Sequence, residues 1–168
     1  LYGVIAIAIS MIALVVLLAT ILTGGAGAFR QTYLNIPVTL DAEVLDPNGN
    51  RDPAEMQKVL TMSYGKLLES SLASYIEQNG IQIEGLSEKD IDNLISKEAS
   101  AQVRNRVLAN PDLIGQTVEF DVLTGGRIDG FFKGRVTMDS AARDSNTSPR
   151  QLQLAQALAD RGMIVTRF

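Results

Sequence analysis

Between Asp46 and Asp52 the sequence reads DPNGNRD, and Asp46, Asn48, Asn50 and Asp52 place oxygen-bearing side chains at alternate positions just ahead of a helix start. That spacing belongs to calcium chemistry, because a hard cation collects about six to eight oxygens from a tight loop. A calcium loop of this kind also needs glycine at its sixth position for the sharp turn and a bidentate glutamate at its twelfth. Counted from Asp46, those positions hold Arg51 and Gln57. The stretch is therefore read as a turn followed by a helix cap, with calcium as the alternative.

A second stretch, GGRIDGFFKGR, sets Arg127, Lys133 and Arg135 among Gly125, Gly126, Gly130 and Gly134. Glycines expose backbone N–H groups, and neighbouring cations would make such a segment an anion nest. Neither the dinucleotide fingerprint nor the phosphate-loop spacing is present, so the glycines are read as turn residues. Asp121, Asp129 and Asp139 are the carboxylates nearest to an acid and base pair, but their places on alternating and loop positions read as a solvated face. The chain has no histidine and no cysteine. That removes imidazole and thiolate chemistry, disulfides and sulfur-ligated zinc. No catalytic, cofactor-binding or metal-binding residue is assigned, and the expectation is a non-enzyme without a cofactor.

These stretches follow an opening, LYGVIAIAISMIALVVLLATILTGGAGAFR, in which Arg30 is the first charged residue. Val4 to Leu22 at a rise of about 1.5 Å per residue covers roughly 28 Å, close to the roughly 30 Å hydrocarbon core of a bilayer. Its aliphatic side chains together favour insertion by about 5 kcal/mol at best. Ala26-Gly27-Ala28 has the look of a signal-peptidase site, yet the apolar run is longer than a signal core and has no basic lead. The segment is read as a retained transmembrane helix over residues 1–24. Its Met11 to Leu18 stretch is free to pack on partner helices.

All 15 Lys+Arg and all 19 Asp+Glu lie from Arg30 onward, giving a net charge of −4. An acidic domain repels phosphate backbones, which argues against nucleic-acid binding.

Residues 30–168 suffice for one modest domain. Leu34 to Val44 alternates apolar with polar residues, the period of a half-buried strand, and Pro37 puts that strand at an edge or interrupts it. Asp52-Pro53 starts a helix running to Gly80, with Gly65 as a possible kink. Ser87 and Asp90 form a capping box that opens a second helix ending before Asn110-Pro111. Thr117–Leu123 alternates again as a strand. The glycine-rich stretch around Phe131-Phe132 reads as irregular, and Asp139 to Ser148 as a flexible polar loop. Ser148-Pro149 caps a last helix closed by Gly162, and Met163 to Phe168 reads as a terminal strand. The fold class is α+β: one transmembrane helix, then a domain of about three helices and a short antiparallel sheet.

LYGVIAIAIS, AFRQTYL, LANPDLIGQT, FFKGRV and ALADRGMIVTRF, in that order, resemble the N-terminal region of PstA-type permeases of phosphate ABC transporters. The variant in question carries a domain of unknown function between its first and second membrane helices. The resemblance implies an inner-membrane anchor and a periplasmic, non-catalytic accessory domain, in a fragment whose pore and coupling loop lie in further sequence. It implies as partners the lipid bilayer, a partner permease subunit, the ATPase subunit and the periplasmic phosphate-binding protein. The alternative is a single-pass membrane-anchored sensor or scaffold unrelated to transport.

Overall fold

The computed structural model describes residues 2–168, so Leu1 of the expected 1–24 span lies outside the described residues. Contacts divide the chain into two compact units, Leu1–Gln31 with Arg167–Phe168, and Thr32–Thr166.

The first unit is built on helix α1 (Tyr2–Ala26), followed by one 3-10 turn over Gly27–Phe29. Its 25 residues reach about 37 Å. No side chain of α1 is buried, and the helix is long and apolar enough to cross a membrane. The hydroxyls of Ser10, Thr20 and Thr23 donate to the carbonyls of Ala6, Val16 and Ala19 at 2.7–2.8 Å. Each hydroxyl is thus satisfied inside the helix and presents no unmet donor to an apolar surrounding. α1 continues through Gly24 and Gly25 to Ala26, two residues past the expected end at residue 24. A glycine weakens a helix by only about 1 kcal/mol, less than the loss of the backbone hydrogen bonds that unwinding would expose.

In the second unit, β1 (Gln31–Thr39) lies between β2 (Thr117–Leu123) and β3 (Ile164–Arg167). β1 and β2 are antiparallel, with Ile36 opposite Phe120 and Val38 opposite Val118. On the other side Asn35 N–H donates to the Met163 carbonyl while Thr32 meets Thr166, so β3 also runs antiparallel. Thr32, Leu34, Ile36, Val38 and Leu40 are all buried. The period-two reading therefore identified the inward face.

Pro37 sits in a central strand, not an edge strand. The even residues of β1 bond toward β2, as Leu40 N–H to the Gln116 carbonyl shows, and the odd ones face β3. β3 is only four residues long, so Pro37 falls where β1 has no second neighbour and its missing donor is not needed. The alternation expected as far as Val44 ends early. Asp41 accepts a hydrogen bond from Glu43 N–H and caps a short helix, α2 (Ala42–Leu45).

Eight helices cover the sheet's buried face and its margins among the described residues: α2, α3 (Pro53–Met56), α4 (Thr61–Gln78), α5 (Glu88–Asp92), α6 (Ala99–Ala109), α7 (Gly126–Phe132), α8 (Met138–Ala142) and α9 (Pro149–Asp160). The three long ones, α4, α6 and α9, correspond to the three expected from the sequence. Tyr64, Leu68 and Leu72 of α4, Val103 and Val107 of α6, and Leu152, Leu154 and Leu158 of α9 join the β1 face in one core.

Four expectations of continuity or irregularity change. The first helix divides into α3 and α4, and α4 continues unbroken past Gly65, where an added Cβ would come within 2.8 Å of Ser100 Oγ. Glycine there permits α4 and α6 to approach closely. The second helix divides into α5 and α6, because Ile95 bridges to Thr124 and Ser96 N–H donates to the Leu123 carbonyl. The glycine-rich stretch is helical in α7. The polar loop contains α8, held by a Thr137–Ser140 capping box and a buried Ala141.

Candidate functional site

The oxygen-rich turn at 46–52 is assembled from its own side chains. Asp46 is buried, and its Oδ2 meets Arg51 Nε at 3.2 Å and accepts from Arg51 N–H at 3.1 Å. Arg51 adopts φ 53, the left-handed conformation that a calcium loop reserves for glycine at this position. Its guanidinium also donates to the carbonyls of Pro111 and Ile114. The amides of Asn48 and Asn50 both donate to Glu55 Oε2, and Asp52 caps α3 by accepting from Ala54 N–H. The two amide donors hold the exposed Glu55 carboxyl below the ordinary carboxylate range.

The charge of Asp46 that would draw a divalent cation is thus met by Arg51, and no three acidic groups converge on one point among the described residues. Calorimetric titration of calcium into the chain should show no micromolar affinity. A micromolar constant abolished by Asp46→Ala would overturn the turn-and-cap reading.

The glycine-rich stretch brings its charges together differently. Asp129, in the first turn of α7, accepts from Thr32 N–H at 3.1 Å and Thr32 Oγ1 at 3.0 Å. Its other oxygen binds Lys133 Nζ at 2.7 Å and Arg135 Nη2 at 3.4 Å. Burial alone would raise the Asp129 pKa. The Lys133 ammonium and the Thr32 donors outweigh it and hold the carboxyl below its usual range. Arg127 pairs instead with Asp144 at 2.8 Å. All three cations named from the sequence are therefore engaged by carboxylates. What the stretch does is tie α7 to the sheet at Thr32, the second residue of β1.

Asp121 meets Asn35 Nδ2 at 2.9 Å across the β1–β2 ladder, and Asp139 lies in the first turn of α8. Neither carries a hydrogen bond or ion pair to Asp129 among those described.

Among the clefts of the described residues, one borders the sheet and a smaller one lies away from the strands. The larger, about 520 Å³, runs along the unpaired margin of β1 at Pro37 and Thr39 and is lined on the α4 side by Ser70, Ser71 and Ser74. Ser71 Oγ accepts from Thr39 N–H at 3.3 Å, supplying the partner that a longer β3 would have supplied. The second cleft, about 360 Å³, lies between the 93–98 segment, the Gly125–Arg127 turn and the start of α9. Its floor is tight, since an added Cβ at Gly125 would stand 2.5 Å from the Asn93 carbonyl oxygen.

Sequence reasoning did not find one further cluster. Asp90 closes the Ser87 capping box of α5 and also accepts from Ser148 Oγ, whose oxygen in turn accepts from Gln151 N–H at the start of α9. Both caps were legible separately, but nothing local indicates that one carboxylate serves two helices.

A family model described as a domain of unknown function (DUF3333) matches residues 1–142. No curated protein and no solved structure matches the chain.

Proposed function

We propose, from the premise that this chain belongs to the DUF3333 family, that it is the N-terminal membrane anchor and periplasmic accessory domain of the permease subunit of a phosphate ABC importer of the PstA type. In this reading α1 spans the inner membrane and Thr32–Thr166 is a non-catalytic domain. That domain aids docking of the periplasmic phosphate-binding protein or assembly of the permease pair. ATP hydrolysis and translocation belong to the ATPase subunit and to further permease sequence.

The observation that carries the reading is the position of the domain's two ends. Thr32 and Thr166 lie hydroxyl to hydroxyl at 3.1 Å in antiparallel neighbours, so the chain enters and leaves the domain side by side. Within the first unit, the Arg30 guanidinium stands 4.9 Å from the centre of the Phe168 ring. A domain inserted between consecutive membrane helices needs this arrangement, because both connections must reach the same membrane face. The length and apolar character of α1 support the anchor.

In a full-length transporter of this kind, deleting Gln31–Phe168 and rejoining the flanking helices should lower phosphate uptake while leaving ATPase subunit association intact. Unchanged uptake together with unchanged docking of the binding protein would overturn the proposal.

A further inference from the structure

The charges of the chain are divided between its two units. All 19 Asp+Glu fall within Thr32–Thr166, whereas the unit formed by Leu1–Gln31 and Arg167–Phe168 holds two cationic side chains, Arg30 and Arg167, and no acidic one. An acidic domain is repelled by an anionic surface, so attraction to such a surface falls to the first unit alone. The same unit exposes two large aromatic side chains, Phe29 at 77% and Phe168 at 79%.

Arg30 directly follows the 3-10 turn Gly27–Phe29 that ends the α1 segment. Its guanidinium stands 4.9 Å from the centre of the Phe168 ring, inside the roughly 6 Å over which a cation is held by a ring face. The guanidinium makes no ion pair among the described residues. A guanidinium held by its face keeps its in-plane N–H groups available, and that planar fork matches two oxygens of a phosphate. Depth agrees with the chemistry. At about 37 Å, α1 is longer than the roughly 30 Å hydrocarbon core, and the headgroup layers bring a bilayer to about 40–45 Å, so an α1 that crosses the membrane delivers the turn after it to the level of the lipid phosphates.

Resting on the membrane-anchor reading above, we infer that Arg30, stacked on Phe168, binds the phosphate of an anionic phospholipid at the bilayer surface. Phe29 and Phe168 seat their rings at the boundary between headgroups and acyl chains, and the charge of Arg167 adds to the attraction. The lipid is anionic because a zwitterionic headgroup brings its own ammonium, which competes for the phosphate and repels the guanidinium. Each cation at such a surface favours the anionic lipid by about fivefold.

The test reconstitutes the full chain in phosphatidylcholine vesicles with a minority of phosphatidylglycerol and uses spin-labelled lipids to compare the two at the protein boundary. Phosphatidylglycerol should be preferred by about fivefold at low ionic strength, and the preference should shrink as salt is added. Arg30→Gln should lower the preference at least twofold, Arg30→Lys should retain part of it, and Phe168→Leu should lower it by releasing the guanidinium from its ring. Arg30 is exposed, so these changes should leave the unfolding temperature of the domain unchanged. Equal association of the two lipids, or a preference indifferent to Arg30→Gln, would overturn the inference and leave the anchor standing. Displacement of the labelled phosphatidylglycerol by millimolar inorganic phosphate would assign the site to a soluble ligand and also overturn it. Failure of the chain to float with vesicles of either composition would overturn the anchor reading and this inference together.

Discussion

Asp129→Ala should lower the unfolding free energy by about 3 kcal/mol, because it breaks a partly buried ion pair and strands groups that cannot find water. Lys133 is the first of these: its side chain is 11% exposed and its ammonium has Asp129 at 2.7 Å. The second is Thr32 N–H, the backbone donor at the start of β1, which loses its acceptor at a buried residue. Arg135 contributes little, being 63% exposed and 3.4 Å away. The double variant Asp129→Ala with Lys133→Met should recover part of the loss, since it removes the stranded charge along with its partner.

The same contact sets a pH dependence. The folded Asp129 pKa lies below the unfolded value of about 3.9, so the folded state binds its proton less readily than the unfolded chain. Its contribution is complete above the unfolded value and is lost as pH falls through the folded one. Urea denaturation of parent and variant should show the full difference at neutral pH and a shrinking one below about pH 4. A constant difference across that range would mean that Asp129 acts through packing and not through its charge.

How far the sequence discloses this arrangement depends on the range of the interactions. The inward face of β1 was legible because side chains alternate across a strand whatever lies around them, and Leu34, Ile36, Val38 and Leu40 are all buried. The end of that strand was not. Alternation through Asp41 and Glu43 is also compatible with a cap and a helical turn, and the Asp41 side chain chose between them by accepting from Glu43 N–H.

The stripe Ile91, Leu94, Ile95, Ala99, Val103 and Val107 shows the complementary limit. All six face the core or pack against it, yet the backbone between Asp92 and Ala99 is not helical. Periodicity reports which residues are buried, whereas Ile95 and Ser96 spend their backbone groups on Thr124 and Leu123 across the domain. A window on sequence holds no signal of that pairing.

Candidate-site residues divide in the same way. Arg127, Lys133 and Arg135 were visible as cations among glycines, but which carboxylate would hold each one was not. Asp129 is near in sequence and serves two of them. Asp144 lies a further turn and helix away and serves the third. The orphan amide of Gln151 gives no sequence signal, because whether a buried amide meets an acceptor depends on neighbours distant in the chain.

Asp90→Ala should be equally disruptive, lowering the unfolding free energy by about 3 kcal/mol, because one carboxylate terminates two helices. Its Oδ2 accepts from Ser87 N–H at 3.0 Å and Ser87 Oγ at 2.8 Å, fixing the start of α5. Its Oδ1 accepts from Ser148 Oγ, which orients that hydroxyl oxygen toward Gln151 N–H and fixes the start of α9. A helix cap contributes about 0.5–2 kcal/mol, and the two here share a residue that is only 9% exposed. Burial opposes ionisation of Asp90, but the Ser148 and Ser87 donors prevail and keep its pKa below the ordinary carboxylate value. Its stabilising effect is therefore present above about pH 4 and declines as pH falls through the lowered value. Ser148→Ala isolates one arm: it removes the α9 cap and leaves the α5 box, so it should reach only about half the effect of Asp90→Ala. Hydrogen exchange gives the readout that distinguishes the arms, since Ser148→Ala should expose the first amides of α9 and spare those of α5, whereas Asp90→Ala should expose both. Equal protection of the two helix starts in Asp90→Ala would show that each cap stands without the shared carboxylate.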